Sequence, residues 1–353
     1  MKRRIELIDV AKAVTIFLVI LGHTTGNLET PMYRRVLYSF HMPLFFLLAG
    51  LSIKPAILHS FIEWRRFFKK NILAIVVPFV IWGLIYAPFS VPNLGNLFYG
   101  SWKSLVDMGT LSSLWYLSCL FVARIFVQII MNLFARCKNS VLTPCFVLSG
   151  IVMNLIAFLL PHIEGGYPWC ADVAFMAAGW ILFGIAFRLQ VLIFAQQRTL
   201  VLILSFIASL VLFYFGTIFR GDSLDLSLMC NGVYGNKFWF IYNSVFGSLV
   251  VLIFSMLICR VARESAHPFS VDAITYIGKR TLGIFLIHKN ILWLLLMPLA
   301  NAIFPENTNA LLIAFIASVF ALGLSILGCM VIEKYIPQLL GQFPREYYKK
   351  EEK

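Results

Sequence analysis

The sequence predicts an all-α, polytopic integral membrane protein with about ten transmembrane helices. Three observations predict it. The chain is 60% hydrophobic and only 13% charged, about half the charged share of a soluble domain. Apolar runs near 20 residues recur from end to end, the length a helix needs to cross a bilayer. The short alternating segments of a membrane β-barrel are absent from the sequence.

The elements follow in order. A first span over 8–26 carries IDVAKAVTIFLVILGH. The start MKRRIELIDVAK is not expected to be a cleavable signal, because its apolar run is long and no small-residue cleavage site follows. A second span over 36–54 opens at His41 with Pro43 just inside, where a missing N–H is tolerated. The segment HSFIEWRRFFKKN (59–71) interleaves aromatic and cationic residues. It suits either a helix on anionic headgroups or a site for an anionic cofactor. Further spans are predicted over 72–92, 113–135, 141–160, 172–194, 199–218, 238–260, 275–298 and 309–333. The loop 218–237 is polar and contains glycine; it either bounds an outward-facing site or simply connects two helices. Residues 1–340 form one predicted membrane domain and 341–353 a short charged cytoplasmic tail.

Charge sets the expected orientation. With the N-terminus inside, most of the 29 lysines and arginines fall on inner segments. They include Lys2, Arg3, Arg4 and Lys12, then Arg65, Arg66, Lys69 and Lys70, and later Arg345, Lys349, Lys350 and Lys353. Arg34, Arg35, Lys103, Arg220 and Lys237 fall outside. This bias predicts both termini in the cytoplasm. It also accounts for most of the net charge of +13 without a nucleic-acid partner. The seven cysteines make no CxxC or Cys/His cluster, so no metal is expected. Cys170 and Cys230 both lie on the predicted outer side, where pairing and two free thiols are both open. No phosphate-binding or nucleophile-elbow motif is present.

Ionisable residues inside apolar spans are costly and mark candidate sites. His23 follows Lys12 by eleven residues, almost three helical turns, so both share one face about 16 Å apart. Asp9 sits within i, i+3 reach of Lys12. The bland alternatives are an interfacial ion pair for Asp9 and Lys12 and an interhelical hydrogen bond for His23. His41 lies near the same outer end as His23, and the two imidazoles could share a pocket. Arg124, His288 and Lys289 lie deep in later spans, where an excess of cations suits an anionic ligand. Glu164 and Asp172 are expected to be solvated loop charges. A histidine with no evident serine or cysteine partner points to general-base chemistry.

The segments IDVAKAVTIFLVILGH (8–23) and YSFHMPLFFLLAG (38–50) resemble the membrane-bound acyltransferase-three family, closest to its fucose 4-O-acetylase-like branch. LWYL (114–117) and TLGIFLIH (281–288) are weaker echoes. The resemblance implies an acyltransferase that moves an acetyl group from cytoplasmic acetyl-CoA to a hydroxyl of a cell-surface glycan or lipid-linked sugar. It implies an integral protein of the bacterial cytoplasmic (inner) membrane, in contact with lipids. The family's basic-residue–ten–histidine pattern falls on Lys12 and His23, with lysine where many members carry arginine. On this basis His23 and His41 are the expected catalytic residues. Lys12, Arg65, Arg66, Lys69, Lys70 and Arg124 are expected to hold the acyl-CoA, and Asp9 and His288 to line the pocket. The family's closely spaced cations before the third span have no clear match, since Asn71 and Ala74 follow the cluster at 65–70. The competing class is a transporter or flippase for a lipid-linked sugar, where deep histidines and arginines are equally at home.

Overall fold

The computed structural model describes residues 5–24, 32–87, 89–109, 113–219, 228–264, 269–305, 308–344 and 347. Lys2, Arg3, Arg4, Arg220, Arg345, Lys349, Lys350 and Lys353 lie outside the described residues, as does the 220–227 part of the 218–237 loop. Among the described residues the regular structure is helical, apart from one isolated bridge between Leu228 and Val233. Nine helical segments there are long and apolar enough to cross a membrane. The protein is therefore an all-α, polytopic membrane protein, as the sequence predicts.

The helices in chain order are α1 (Glu6–Gly22), α2 (Met32–Tyr38), α3 (His41–Ser52), α4 (Phe61–Asn71), α5 (Val77–Tyr86), α6 (Val91–Tyr99), α7 (Trp102–Asp107), α8 (Trp115–Leu133) and α9 (Asn139–Leu159). They continue as α10 (Ala171–Ala186), α11 (Arg188–Phe194), α12 (Thr199–Phe219), α13 (Lys237–Glu264), α14 (Phe269–Lys279), α15 (Thr281–Asn290), α16 (Met297–Ile303) and α17 (Ala310–Tyr335). At 17 residues α1 is about 25 Å long and is shorter than any of the nine.

Three predicted spans differ from the sequence expectation, and one of them, 172–194, breaks at Phe187 into α10 and α11. The segment 59–71 is helical from Phe61 and is continuous with the span predicted from residue 72. Ser60 caps α4 by accepting from the Glu63 backbone N–H at 3.2 Å, and Glu63 accepts in return from the Ser60 N–H at 3.1 Å. Nothing stops the helix after that start, so the cationic turns run on into α5. The predicted span 275–298 also splits. It breaks at Arg280 into α14 and α15.

Two helices widen into π turns, at Ile72–Val76 and at Ile291–Leu296. Each lies just before a proline, Pro78 and Pro298, at the start of the next α-helix. Proline has no N–H and its ring presses on the carbonyl four residues back, and a widened turn relieves both problems.

The chain forms two compact units. The first comprises Met1–Ser52, Phe187–Met229 and Val233–Ile326. There α1 packs against α2, α3, α13, α14 and α15. Its buried face includes Val10, Ala11, Ile16 and Ile20. One core cluster joins Leu7 and Val10 to Leu202, Ile253, Met256, Cys259 and Val271. The α1–α14 contact is close enough that a Cβ at Gly278 would overlap the backbone of Asp9.

The second unit comprises Ile53–Ala186, Cys230–Gly232 and Leu327–Lys353. In it α10 packs between α9 and α8. At the α9–α10 crossing a Cβ on Gly179 would stand 2.7 Å from the Gly150 carbonyl, the small-residue contact that membrane helices use for close approach. The Trp82 indole N–H donates to the Leu339 carbonyl at 2.8 Å.

Gly278→Ala should lower the thermal stability of the detergent-purified protein, by about 1–3 kcal/mol as for an overpacked core. Gly323 has open space where a Cβ would go. Gly323→Ala should leave stability unchanged or slightly raised. Equal melting temperatures for the two variants would refute the close α1–α14 approach.

Candidate active site

The site is built in the first unit around the end of α1. His23 caps α1 with near-helical backbone angles (φ −94, ψ −1), so it keeps the register of Lys12. Its Nδ1 lies 3.3 Å from the Tyr38 hydroxyl. Its backbone carbonyl accepts from the Trp293 indole N–H at 3.3 Å. The His288 ring packs on the His23 ring, centroids 5.4 Å apart. Tyr38 stands between His23 and His41, with centroid distances of 6.2 and 4.9 Å. So the imidazole packed directly on His23 is His288, and His41 is linked to it through Tyr38.

The outer partners fix the rings. His41 Nδ1 lies 2.6 Å from the Leu37 carbonyl. His288 Nδ1 lies 2.8 Å from the Phe285 carbonyl and 3.1 Å from that of Ile284. A carbonyl only accepts, so in both rings Nδ1 carries the proton and a neutral ring offers Nε2 as the acceptor. His288 is fully buried, and its Nε2 has no hydrogen-bond partner.

His23 differs from the other two. Its partner is a hydroxyl, which can donate or accept. With Nδ1–H donating to Tyr38, Nε2 is a free base. With the Tyr38 hydroxyl donating to Nδ1, Nε2 carries the proton instead. Two cations flank the cluster: the Arg34 guanidinium lies 5.0 Å from the Tyr38 ring centroid, and Lys289 Nζ lies 5.8 Å from that of Trp293.

At the other end of α1, Lys12 Nζ donates to Ser52 Oγ at 2.8 Å. Asp9 is 3% exposed and sits where α14 crosses α1. The remaining predicted cations belong to the second unit. Arg65, Arg66 and Lys70 are exposed on α4, Lys69 is half-buried there, and Arg124 is half-buried in α8. Among the described residues no three His, Cys, Asp or Glu side chains gather as a metal site.

Tyr38 and Trp293 were not expected from the sequence. Tyr38 carried a readable signal, because it precedes His41 by three residues and α2 leads into α3. Trp293 carried none, since its contact with His23 spans 270 residues.

A family model described as an acyltransferase domain matches residues 5–332. The match covers nearly the whole chain, and the chain belongs to that family. It is an integral, multi-pass member of a family of acyltransferases. No curated protein matches the chain.

The burial pattern sets an order of reactivity. Diethyl pyrocarbonate should modify the exposed His59 and His162 first, the half-buried His23 more slowly, and the buried His41 and His288 last. Peptide mass spectrometry over a time course reads this order. Modification of His288 as fast as His59 would contradict its enclosure.

Proposed function

We propose that this member of the acyltransferase family transfers an acetyl group from cytoplasmic acetyl-CoA to a hydroxyl of a cell-surface glycan or lipid-linked sugar. One observation carries the reading. A single helix holds a cation, Lys12, about 16 Å from an imidazole whose Nδ1 meets a tyrosine hydroxyl. In this reading Lys12 and the cations Arg65, Arg66, Lys69, Lys70 and Arg124 hold the phosphates of the donor. Residues 1–340 act as one acyltransferase domain, with 341–353 as a cytoplasmic tail. The basic bias of the loops supports both termini inside, and the family resemblance supports a home in the bacterial inner membrane.

The chemistry balances on His23. The acceptor oxygen attacks the thioester carbonyl as His23 Nε2 takes the hydroxyl proton. The C–S bond breaks, the imidazolium returns the proton to the departing thiolate, and an ester and free coenzyme A remain. Tyr38 holds Nδ1–H during the transfer, as the third member of a nucleophile–base–orienter set. His41 and His288, with their acceptor Nε2 atoms, line the same cluster.

General-base help is worth about 10²–10⁴-fold. In membranes supplied with radiolabelled acetyl-CoA, His23→Ala should therefore cut transfer to glycan by that order without lowering protein level. Tyr38→Phe keeps the ring and should lose activity mainly in kcat. Lys12→Ala should raise KM for acetyl-CoA, while Lys12→Arg restores it. Full transfer by His23→Ala would sink the mechanism.

A further inference from the structure

A second site lies in the second unit, lined by residues that the proposed mechanism does not use. Trp102, Lys103, His162, Glu164, Tyr167, Asp172 and Asn231 line one cleft, with Cys170 also in its wall. The cleft is braced. The Ser101 hydroxyl donates to the Gly165 carbonyl at 2.7 Å, and Tyr99 donates to the Gly166 carbonyl at 2.9 Å. The Trp169 indole donates to the Phe98 carbonyl at 2.9 Å. These bonds strap the 161–170 segment onto the 98–104 turn, so the cleft is formed before any ligand arrives.

Two features show strain and unmet demand there. Trp169 and Cys170 are consecutive non-glycine residues with left-handed backbone (φ 55 and 52). Such angles cost on the order of 1–3 kcal/mol each and concentrate at functional sites. Asn231 Oδ1 is buried and has no hydrogen-bond partner. Beside it Gly232 (φ +73) runs so close to Asp172 that a Cβ would stand 3.0 Å from Oδ2.

The lining selects a ligand class. Carboxylates at Glu164 and Asp172 accept, Lys103 donates, His162 can do either, and Asn231 brings an amide to the wall. Charges of both signs disfavour a simple ion. Mixed donors and acceptors beside two aromatic rings suit a hydroxylated ring. The cleft volume is about 50 Å³. A cavity of about 150 Å³ holds benzene, so this one admits an edge with one or two hydroxyls and not a whole pyranose. We propose that the cleft is a saccharide subsite: it takes the hydroxyl edge of a sugar ring on Asp172 and Asn231, with the ring across Trp102 and Tyr167. Identifying that sugar as the acceptor rests on the acyltransferase reading; the binding itself does not.

Saturation-transfer NMR on the purified full chain tests this with the methyl pyranosides of glucose, galactose and rhamnose. At least one should receive saturation, and its affinity should fall about tenfold in Asp172→Asn and in Asn231→Ala, as expected for loss of a hydrogen bond to a charged or buried group. Glu164→Gln sits on an exposed stretch and should weaken binding less. It keeps the test open if the Asp172 variant does not fold. The proposal is overturned if none of the three glycosides binds, or if binding is equal in all variants. Acetyl-CoA consumption is followed in the same preparations. Glycoside binding through the cleft with no acetyl-CoA turnover removes the acyltransferase reading and leaves the cleft standing. Acetylation of glycosides with unchanged acceptor KM in every variant removes the cleft and leaves the reading.

Discussion

A histidine enclosed by apolar helices has to place a ring N–H on an acceptor, because a buried polar group without a partner costs about 1–3 kcal/mol. That requirement organises the site. His41 and His288 meet it with carbonyls three or four residues back in the chain, on α2 for His41 and on α15 for His288. The choice fixes both tautomers and leaves both Nε2 atoms as lone-pair sites. His23 stands past the end of α1, and its Nδ1 contact is a hydroxyl that works in either direction. Of the three rings it is the one whose tautomer can exchange against its partner without breaking a backbone bond. On the proposed reading, the proton-transfer role therefore falls to His23 and not to its two neighbours.

The π turns show a second constraint acting twice. Lys70-Asn71-Ile72-Leu73 and Lys289-Asn290-Ile291-Leu292 are the same tetrapeptide, and each leads into a π turn and then a proline. In the second unit, Asn71 Nδ2 donates to the Phe67 carbonyl at 2.7 Å, supplementing the ladder where it loosens. The cations of α4 thus stay on a continuous helix instead of a free loop. In the first unit the same device follows His288 and Lys289 directly. The widened turn then carries Trp293, whose indole pins the His23 carbonyl. Proline at a helix start decides, at one remove, where the candidate base is held.

The transmembrane helices were legible because length and apolarity are properties of a single segment. Their ends were less so. The α4 start depends on a reciprocal Ser60–Glu63 cap that a hydropathy window does not see. The break at Arg280 has no proline to mark it. In the site, the shared face of Lys12 and His23 follows from helical spacing, and the depth of His288 follows from its place in an apolar run. What could not be read was which ring meets which. His23 and His288 are far apart in sequence, and only the packing of α1 against α15 brings them together. Tyr38 is a different case. A tyrosine near the end of a span is the ordinary membrane-interface residue, so its spacing from His41 reads as anchoring until the Nδ1 of His23 is seen against its hydroxyl.

The clamping of α1 bears on what the proposed reaction can discriminate. Near one end Lys12 donates to Ser52 of α3, and at the other the His23 carbonyl accepts from Trp293. At Asp9 α1 lies so close to α14 that Gly278 leaves no room for a side chain. The separation between cation and imidazole is then a property of the folded bundle and not of a mobile loop. Orientation of this kind contributes to rate only if the reacting atoms are already close to their attack geometry. On the proposed reading, a donor whose phosphates stay at Lys12 must present its carbonyl about 16 Å away along α1. Selection would then act on the reach of the donor more than on its charge. A longer acyl chain would not change that reach, because it extends beyond the carbonyl; it would have to find its own space among Tyr38, His41 and His288. Acetyl specificity, if the reaction has it, is therefore a matter of packing around that ring cluster and not of the Lys12 end.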